Sequence, residues 1–80
     1  MYITYILRCA DATLYIGSTN NLEKRLYAHN NLKSGAHYTK IRRPVSLVYQ
    51  EHFDSLGEAK SREAKLKQLT RAEKLALFTT

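Results

Sequence analysis

Two tyrosines, Tyr5 and Tyr15, stand ten residues apart in this 80-residue sequence, one on each side of a short turn. Positions at that separation can come together on paired strands, which would bring the two phenols close to each other. Gly17 follows soon after Tyr15, and a glycine within a strand lets another group approach the backbone. A phenol can act as a general base only if its pKa falls far below about 10, and a neighbouring guanidinium or metal-bound water can lower it. We therefore interpret the two tyrosines as candidates for proton transfer.

Arg25 and His29 lie one turn apart on a predicted helix, at the edge of the face that Leu22 and Leu26 define. Both side chains are thus expected to look toward the sheet. A guanidinium can stabilise charge on a phosphoryl group through a two-pronged contact, and an imidazole can move protons near neutral pH. Phosphate contact is the preferred interpretation of Arg25, whereas packing explains the placement of His29 equally well.

Glu63 falls inside the apolar stripe of another predicted helix, close to Ala59 and Leu66 in projection. A carboxylate on a packed face must be paired or must bind a metal, because an unpaired buried charge is costly. An internal salt bridge, to Arg25 or Arg62, and a divalent-metal site explain Glu63 equally well. One carboxylate is too few for calcium but suits magnesium, which keeps most of its waters and shares substrate phosphate.

The strands that must position these side chains follow from alternating hydrophobicity and from β-branched and aromatic content. Strands are predicted over residues 2 to 9 and 13 to 17, and a turn at residues 10 to 12 joins them into an antiparallel hairpin. A third strand is predicted over residues 45 to 53. The whole chain, residues 1–80, is predicted to be a single α+β domain with a small three-stranded antiparallel sheet flanked by helices.

Helices are predicted from capping signals followed by helical periodicity. The first follows Asn20 as the N-cap, the second follows Ser55, and a short final helix follows Thr70. The order of elements is therefore ββαβαα. Residues 31–44 form the only extended irregular segment, and their basic side chains indicate a functional loop rather than a spacer.

Composition excludes several classes of protein. Hydrophobic residues make up 44% and charged residues 25% of the chain, and no apolar run approaches the length of about 20 residues that spans a bilayer. The N-terminus lacks the basic region and cleavage site of a signal peptide, so we predict a cytoplasmic protein without a membrane partner. The single cysteine, Cys9, is interpreted as a buried strand residue.

The net charge of +6 is unevenly distributed, since no acidic residue occurs from Lys24 to Gln50. A basic surface of this kind is complementary to a phosphate backbone. The predicted nucleic-acid-binding residues of this stretch are Lys24, Lys33, Lys40, Arg42 and Arg43.

Together these features resemble the GIY-YIG nuclease superfamily, and within it the small single-domain group. The resemblance covers nearly the whole chain and is carried by five segments in the right order and spacing: TYI at 4–6, YIG at 15–17, RLYAHN at 25–30, GAHYTKIRRPVSLVY at 35–49 and AKSREAKLKQLTRAEKLALF at 59–78. Thr4 replaces the first glycine of the family's name, a change that removes no catalytic group.

The resemblance implies a divalent-metal-dependent phosphodiesterase. The positions that match the family's catalytic residues are Tyr5, Tyr15, Arg25, His29 and, in the basic loop, Tyr38, and the position that matches its metal-binding glutamate is Glu63. One Mg²⁺ or Mn²⁺ is implied, bound weakly in the absence of substrate. Larger relatives also supply a later polar residue, often asparagine, that has no counterpart here.

The predicted function is a structure-selective or weakly sequence-specific endonuclease acting on DNA in preference to RNA, with a role in DNA repair or recombination. A protein partner is a candidate source of targeting, because family members usually gain targeting from an added domain. The alternative is a nucleic-acid-binding module that cleaves nothing by itself. Such a module would need Arg25 and the loop lysines but not Glu63. A structural basic domain, the third reading, leaves Glu63 unexplained unless it is paired internally; the oligomeric state is left open.

Overall fold

The central strand of the sheet is β1 (Tyr2–Arg8), which pairs antiparallel with β2 (Leu14–Thr19) on one side and with β3 (Ser46–Phe53) on the other. The computed structural model describes residues 1–33 and 35–79. Ser34, which belongs to the predicted loop, and Thr80 lie outside the described residues.

Four helices accompany the sheet: α1 (Leu22–Asn31), α2 (His37–Lys40), α3 (Leu56–Lys67) and α4 (Arg71–Ala76). The predicted α+β class, the three-stranded antiparallel sheet and the ββαβαα order of the main elements are confirmed. Within the predicted loop over residues 31–44 the chain forms one further helical turn, α2.

The hairpin register places the two motif tyrosines on the same face of the sheet. Tyr5 pairs with Gly17, and Leu7 pairs with Tyr15. Because side chains alternate along a strand, Tyr5 and Tyr15 are diagonal neighbours rather than a directly opposed pair. The hairpin therefore brings the two phenols to one side of the sheet.

Alternation along β1 also divides the core into two layers. On one face Tyr5 and Leu7 pack with Leu22 and Leu26 of α1. On the other face lies a second cluster, formed by Ile6, Ile16 and Leu66. Helix α1 thus covers the tyrosine face, and α3 covers the opposite face.

The connection between β2 and α1 differs from the prediction by one to two residues. β2 continues to Thr19 instead of ending at Gly17, and the N-cap is Asn21 instead of Asn20. The Asn21 side chain accepts a hydrogen bond from the Lys24 amide at 3.1 Å, while its own N–H donates to Thr19 Oγ1 at 3.1 Å. Local hydrogen bonding at Thr19 thus selects the second of two adjacent asparagines. Ser55 and Thr70 cap α3 and α4 as predicted.

Thr4, which stands where the family's name has a glycine, attaches α3 to the central strand. Its side chain is fully buried, and Oγ1 donates to the Ala59 carbonyl at 2.7 Å. Ala59 lies one helical turn before Glu63. The departure from the motif therefore helps to position the helix that carries the candidate metal ligand.

No helix within residues 1–33 and 35–79 is long and apolar enough to cross a membrane.

Candidate active site

Tyr5 and His29 form a hydrogen-bonded pair in the interior, between β1 and α1. The Tyr5 hydroxyl lies 2.9 Å from Nε2 of His29, and both side chains are buried. The other ring nitrogen, Nδ1, lies 2.8 Å from Oγ1 of Thr39 in α2. That hydroxyl donates its only proton to the Ala36 carbonyl at 2.9 Å, so it must accept from Nδ1–H. This assignment leaves Nε2 with the lone pair that accepts the Tyr5 proton.

Burial keeps both members of the pair neutral. It raises the pKa of Tyr5 from 10.0 to about 12, although a hydrogen bond from Arg25 acts in the opposite direction. Burial also lowers the pKa of His29 from 6.5 to about 4, and the positive charges of Arg25 and Arg43 act in the same sense. The Arg25 guanidinium thus lowers the pKa of the phenol, as a neighbouring guanidinium can, but desolvation outweighs this effect and the pKa stays above 10.

Gly17 makes room for the Tyr5 phenol, as its position in the sequence predicts. A Cβ atom at Gly17 would lie 2.5 Å from the Tyr5 hydroxyl oxygen and 3.3 Å from a ring carbon of Tyr15. Both contacts are closer than the ordinary van der Waals range, so any side chain at this position would displace the phenol.

We expect Gly17→Ala to lower the free energy of unfolding by about 1–3 kcal/mol, because the added methyl group overpacks a buried site. Denaturant unfolding measures this change. Gly57→Ala is the matched control, since a Cβ there meets nothing within 4 Å. Gly57 lies in α3, where alanine is favoured over glycine by up to about 1 kcal/mol. Equal stability of Gly17→Ala and wild type would show that the phenol does not depend on this gap.

Aromatic contacts continue from His29 toward the surface. The Tyr15 ring meets His29 edge-on with centroids 5.1 Å apart, and the Tyr38 ring lies 5.9 Å from Tyr15. The guanidinium carbon of Arg42 lies 4.0 Å from the centre of the Tyr38 ring. Tyr38 itself is 36% exposed. The series thus connects the buried pair to an accessible aromatic side chain.

Glu63, on α3, is surrounded by donors. Ser18 Oγ donates to one carboxylate oxygen, and Lys67 Nζ donates to the other at 2.7 Å. Lys60 Nζ lies 3.5 Å from the oxygen that Ser18 contacts. Burial acts to raise the pKa of this carboxyl group, but hydrogen bonds from Lys67 and Ser18, together with the two ammonium charges, hold the pKa below its usual value. Glu63 is therefore ionised near neutral pH.

Glu63 does form salt bridges, but Arg62 is not one of its partners. Arg62 pairs with Glu51 at 3.0 Å, on the side of β3. Glu63 pairs instead with Lys60, one helical turn before it in α3, and with Lys67, one turn after it. The i, i+3 and i, i+4 spacings favour these pairs.

The candidate residues lie on opposite faces of the sheet and approach each other at its edge strand, β2. Tyr5 lies on the α1 face, whereas Glu63 contacts β2 from α3 through Ser18, the residue after Gly17. The charge of Glu63 raises the pKa of Tyr5 and that of Arg25 lowers it, so both charges lie within electrostatic reach of the phenol. The Tyr5–His29 pair, the Arg25 guanidinium and the Glu63 carboxylate thus lie in one region of the protein.

Comparison with known proteins identifies the family of this chain. The model of the family described as the GIY-YIG catalytic domain matches residues 1–76. The chain belongs to the GIY-YIG family. A UPF0213 protein of Syntrophus aciditrophicus is 59% identical over 74 residues, covering 92% of this chain and 85% of the relative. A UPF0213 protein of Clostridium perfringens is 55% identical over 80 residues, covering 100% and 85%.

Two solved structures share this fold. The solution NMR structure of the UPF0213 protein BH0048 from Bacillus halodurans is 37% identical with a TM-score of 0.60, over 96% of this chain and 82% of that one. The solution NMR structure of EF2693 from E. faecalis is 35% identical with a TM-score of 0.62, over 95% and 81%. Membership places the chain in a nuclease superfamily, while the UPF0213 names specify no activity.

Glu63 suits the kind of metal that GIY-YIG nucleases use. Among residues 1–33 and 35–79 no group of three or more His, Cys, Asp or Glu side chains could enclose an ion. A single ionised carboxylate with an adjacent hydroxyl, from Ser18, fits a largely hydrated Mg²⁺ shared with substrate phosphate. Lys67 and Lys60 already neutralise the carboxylate and would compete with the ion. The donor set thus agrees with weak binding in the absence of substrate.

The five basic residues predicted to bind nucleic acid differ in their surroundings. Lys24 and Lys33 are exposed, and Lys40 Nζ donates to the Lys33 carbonyl at 2.9 Å. Arg42 pairs with Asp11 at 3.1 Å and lies over Tyr38. These four remain candidates for phosphate contact on this GIY-YIG domain.

Arg43, the fifth, has a structural role that the sequence analysis did not foresee. Its guanidinium donates to the carbonyls of His29 at 2.6 Å, Leu32 at 2.6 Å and Ala28 at 3.2 Å. Because these carbonyls close the C-terminal end of α1, Arg43 caps the helix that carries His29. Arg43 therefore has this structural role, and its contact with nucleic acid stays a prediction.

Two residues that orient the site were missed in the sequence. Ser18 had only a partial signal, since strand alternation turns it away from the face of Tyr15 and Gly17 but does not show that α3 covers the other face. Thr39 had none, because its contact with His29 depends on how α2 docks against α1.

Acid stability tests the buried state of His29. Its pKa of about 4 lies below the ordinary 6.5, so between these values the unfolded chain takes up a proton that the native protein does not. Stability is therefore lost as the pH falls through this window, by up to about 3 kcal/mol in total. Urea unfolding at several pH values should show a smaller loss in His29→Gln than in wild type. His37→Gln removes an exposed imidazole and should retain the wild-type dependence.

Proposed function

We propose that this GIY-YIG domain is a metal-dependent endonuclease that hydrolyses phosphodiester bonds in DNA, with structure selectivity or weak sequence preference. The single observation that carries the proposal is the Tyr5 phenol, which donates to the bare Nε2 of His29 and receives a hydrogen bond from Arg25. A proton relay and a phosphate-binding cation thus meet at one oxygen atom. Glu63 lies within electrostatic reach of the same atom.

A proton relay through His29 allows Tyr5 to act as a base despite its high pKa. In the proposed step, the phenol oxygen takes a proton from the attacking water while the phenol proton passes to Nε2 of His29. Neither group needs to be charged beforehand, which suits a buried neutral pair. Thr39 holds the opposite nitrogen, Nδ1, and so maintains the tautomer that can accept. Tyr15, whose ring packs against His29, restricts the imidazole to this orientation.

Arg25 is assigned the role of stabilising the negative charge of the phosphate. Its guanidinium can bind two phosphate oxygens and stabilise the negative charge that builds up as water attacks phosphorus. Glu63 would hold one Mg²⁺ or Mn²⁺ beside Ser18, and such an ion, when bound, supplies charge stabilisation at the leaving oxygen. Lys67 would have to give up its contact with the carboxylate for such an ion to bind, because its Nζ already holds one of the two carboxylate oxygens.

The surroundings of the site favour a polyanionic substrate, and we propose DNA in preference to RNA. Lys24, Lys33, Lys40 and Arg42 provide phosphate contacts that carry no base information, so selectivity has to come from the shape of the substrate or from a protein partner. We place this reaction in the cytoplasm, in DNA repair or recombination.

One observation favours a second function, that of a nucleic-acid-binding module without cleavage. Glu63 is neutralised by Lys67 and Lys60, and a carboxylate held in this way also resembles a structural ion pair. The two functions differ in what the bound strand undergoes, since only the nuclease requires the carboxylate.

The deciding experiment incubates the purified chain with labelled single strands, duplexes, flaps and junctions of DNA and with matched RNA. Mg²⁺, Mn²⁺ and a chelator are compared, and a Glu63→Gln preparation purified in parallel controls for contaminating nucleases. We expect metal-dependent cutting by wild type alone, strongest on one class of DNA structure. Binding of the same panel without cutting under any metal would overturn the nuclease and favour the binding module.

A further inference from the structure

A basic groove lies next to the candidate site and is used by none of the steps above. It has a volume of about 210 Å³, and three separate elements form its walls: the start of β2, α2 and α4. The lining residues are Thr13, Leu14, Tyr38, Arg71 and Lys74. Hereafter this is the α4 groove.

The cations of the α4 groove are not neutralised within the described part of the chain. Neither Arg71 nor Lys74 forms an ion pair with a carboxylate of residues 1–33 or 35–79. Glu73, between them in sequence, accepts the Thr70 amide at 2.9 Å in the capping box of α4. The groove therefore presents uncompensated positive charge.

Asp11, the acidic residue of the β1–β2 turn, also has partners within the protein. Asp11 accepts the Thr13 hydroxyl at 2.6 Å and pairs with Arg42 at 3.1 Å. Repulsion between this carboxylate and an anion in the groove is thereby reduced.

Tyr38 connects the α4 groove to the reaction centre. Its ring lines the groove and also lies 5.9 Å from Tyr15, which in turn contacts His29. Arg42 covers one face of the Tyr38 ring, but the side chain is still 36% exposed. Proteins bind single strands by combining exposed aromatic side chains, which contact the bases, with cations that contact the phosphates.

We infer that the α4 groove binds the nucleic-acid strand beside the scissile phosphate, with Arg71 and Lys74 on a flanking phosphate and Tyr38 against the neighbouring base or sugar. The inference rests on the proposed function for its orientation relative to the cut. It adds α4 to the binding surface, whose predicted residues were Lys24, Lys33, Lys40, Arg42 and Arg43. A strand bound in this way would run past the β2 edge of the sheet toward Tyr38.

The test measures binding of a labelled single-stranded DNA and a flap DNA by fluorescence anisotropy over a range of salt concentrations. Arg71→Gln/Lys74→Gln is compared with wild type, and Lys65→Gln is the control because Lys65 lines a different groove, on α3 beside Phe53. We expect the double variant to bind about 10-fold more weakly and to lose one to two phosphate contacts, each worth a slope of about 0.7–0.9 in log affinity against log salt. Lys65→Gln should keep its slope within about 0.5 of wild type.

Because the readout is binding, the test does not depend on cleavage. If wild type cuts DNA, the double variant should show a raised KM with kcat within about two-fold, as expected when only binding is lost. If wild type binds without cutting, the nuclease proposal fails while the groove is still measured. An affinity and a salt slope equal to those of Lys65→Gln would overturn the inference. Circular dichroism and the single variants separate loss of contact from loss of folding.

Discussion

Glu63→Gln is expected to reduce metal-dependent DNA cleavage by at least about 10³-fold, because the amide loses the charge that holds the ion. DNA binding should stay within about two-fold of wild type or become tighter, since Lys67 and Lys60 are released from the carboxylate. Cleavage is measured under single-turnover conditions and binding in the presence of calcium or a chelator. This separation of cutting from binding is the signature of a metal ligand.

Glu58→Gln is the matched control for this prediction. It makes the same chemical change on the same helix, but Glu58 is exposed near the N-terminus of α3, where its amide bonds to Ser55 Oγ at 3.2 Å. It should cleave DNA at the wild-type rate. Cleavage by Glu63→Gln at that rate would contradict a role in metal binding and leave Glu63 as a structural ion pair.

Tyr5→Phe is expected to lower kcat by about 10²–10⁴-fold with little change in DNA affinity, because it removes the atom through which the proton passes. The variant also leaves Nε2 of His29 without its donor, at a cost of about 1–3 kcal/mol in the free energy of unfolding. Single-turnover kinetics and urea unfolding measure the two effects independently.

Two other tyrosines serve as comparisons. Tyr15→Phe keeps the ring that packs against His29 and should retain more activity than Tyr5→Phe. Tyr49→Phe removes a hydroxyl that donates to Glu51 at 2.7 Å, on β3, and should cleave normally. Full activity in Tyr5→Phe together with loss in Tyr15→Phe would move the proton-transfer role to Tyr15.

The hydrogen-bond pattern adds a consequence for pH. A relay between two neutral groups requires unprotonated His29, whose pKa of about 4 keeps it neutral well below pH 6.5. Activity should therefore persist at mildly acidic pH, where a histidine of ordinary pKa would already be protonated. The protein must also stay folded at this pH, and its stability likewise depends on the neutral form of His29.

Local patterns in the sequence were sufficient for the elements and for the face of the sheet that the two motif tyrosines share. Alternation in β1 and β2 places Tyr5 and Tyr15 on one side, and helical spacing places Arg25 and His29 one turn apart toward the sheet. Gly17 was identified for the same reason, since only its missing Cβ allows an approach to the strand. These properties depend on neighbours a few residues away, and the resemblance of the motifs to a known family depends on them too.

Only the tertiary structure decided which groups become partners and how they are charged. The pKa of Tyr5 depends on how completely packing removes water, and desolvation outweighs the lowering effect of Arg25. Arg43 was assigned to phosphate from its charge, and only the folded structure shows that it also caps α1 across a loop. The contacts of Ser18 with Glu63, and of Thr39 with His29, join residues that are distant in sequence. The sequence by itself therefore determined the elements and the candidate residues, whereas long-range packing and burial decided the hydrogen bonds and charge states that their chemistry requires.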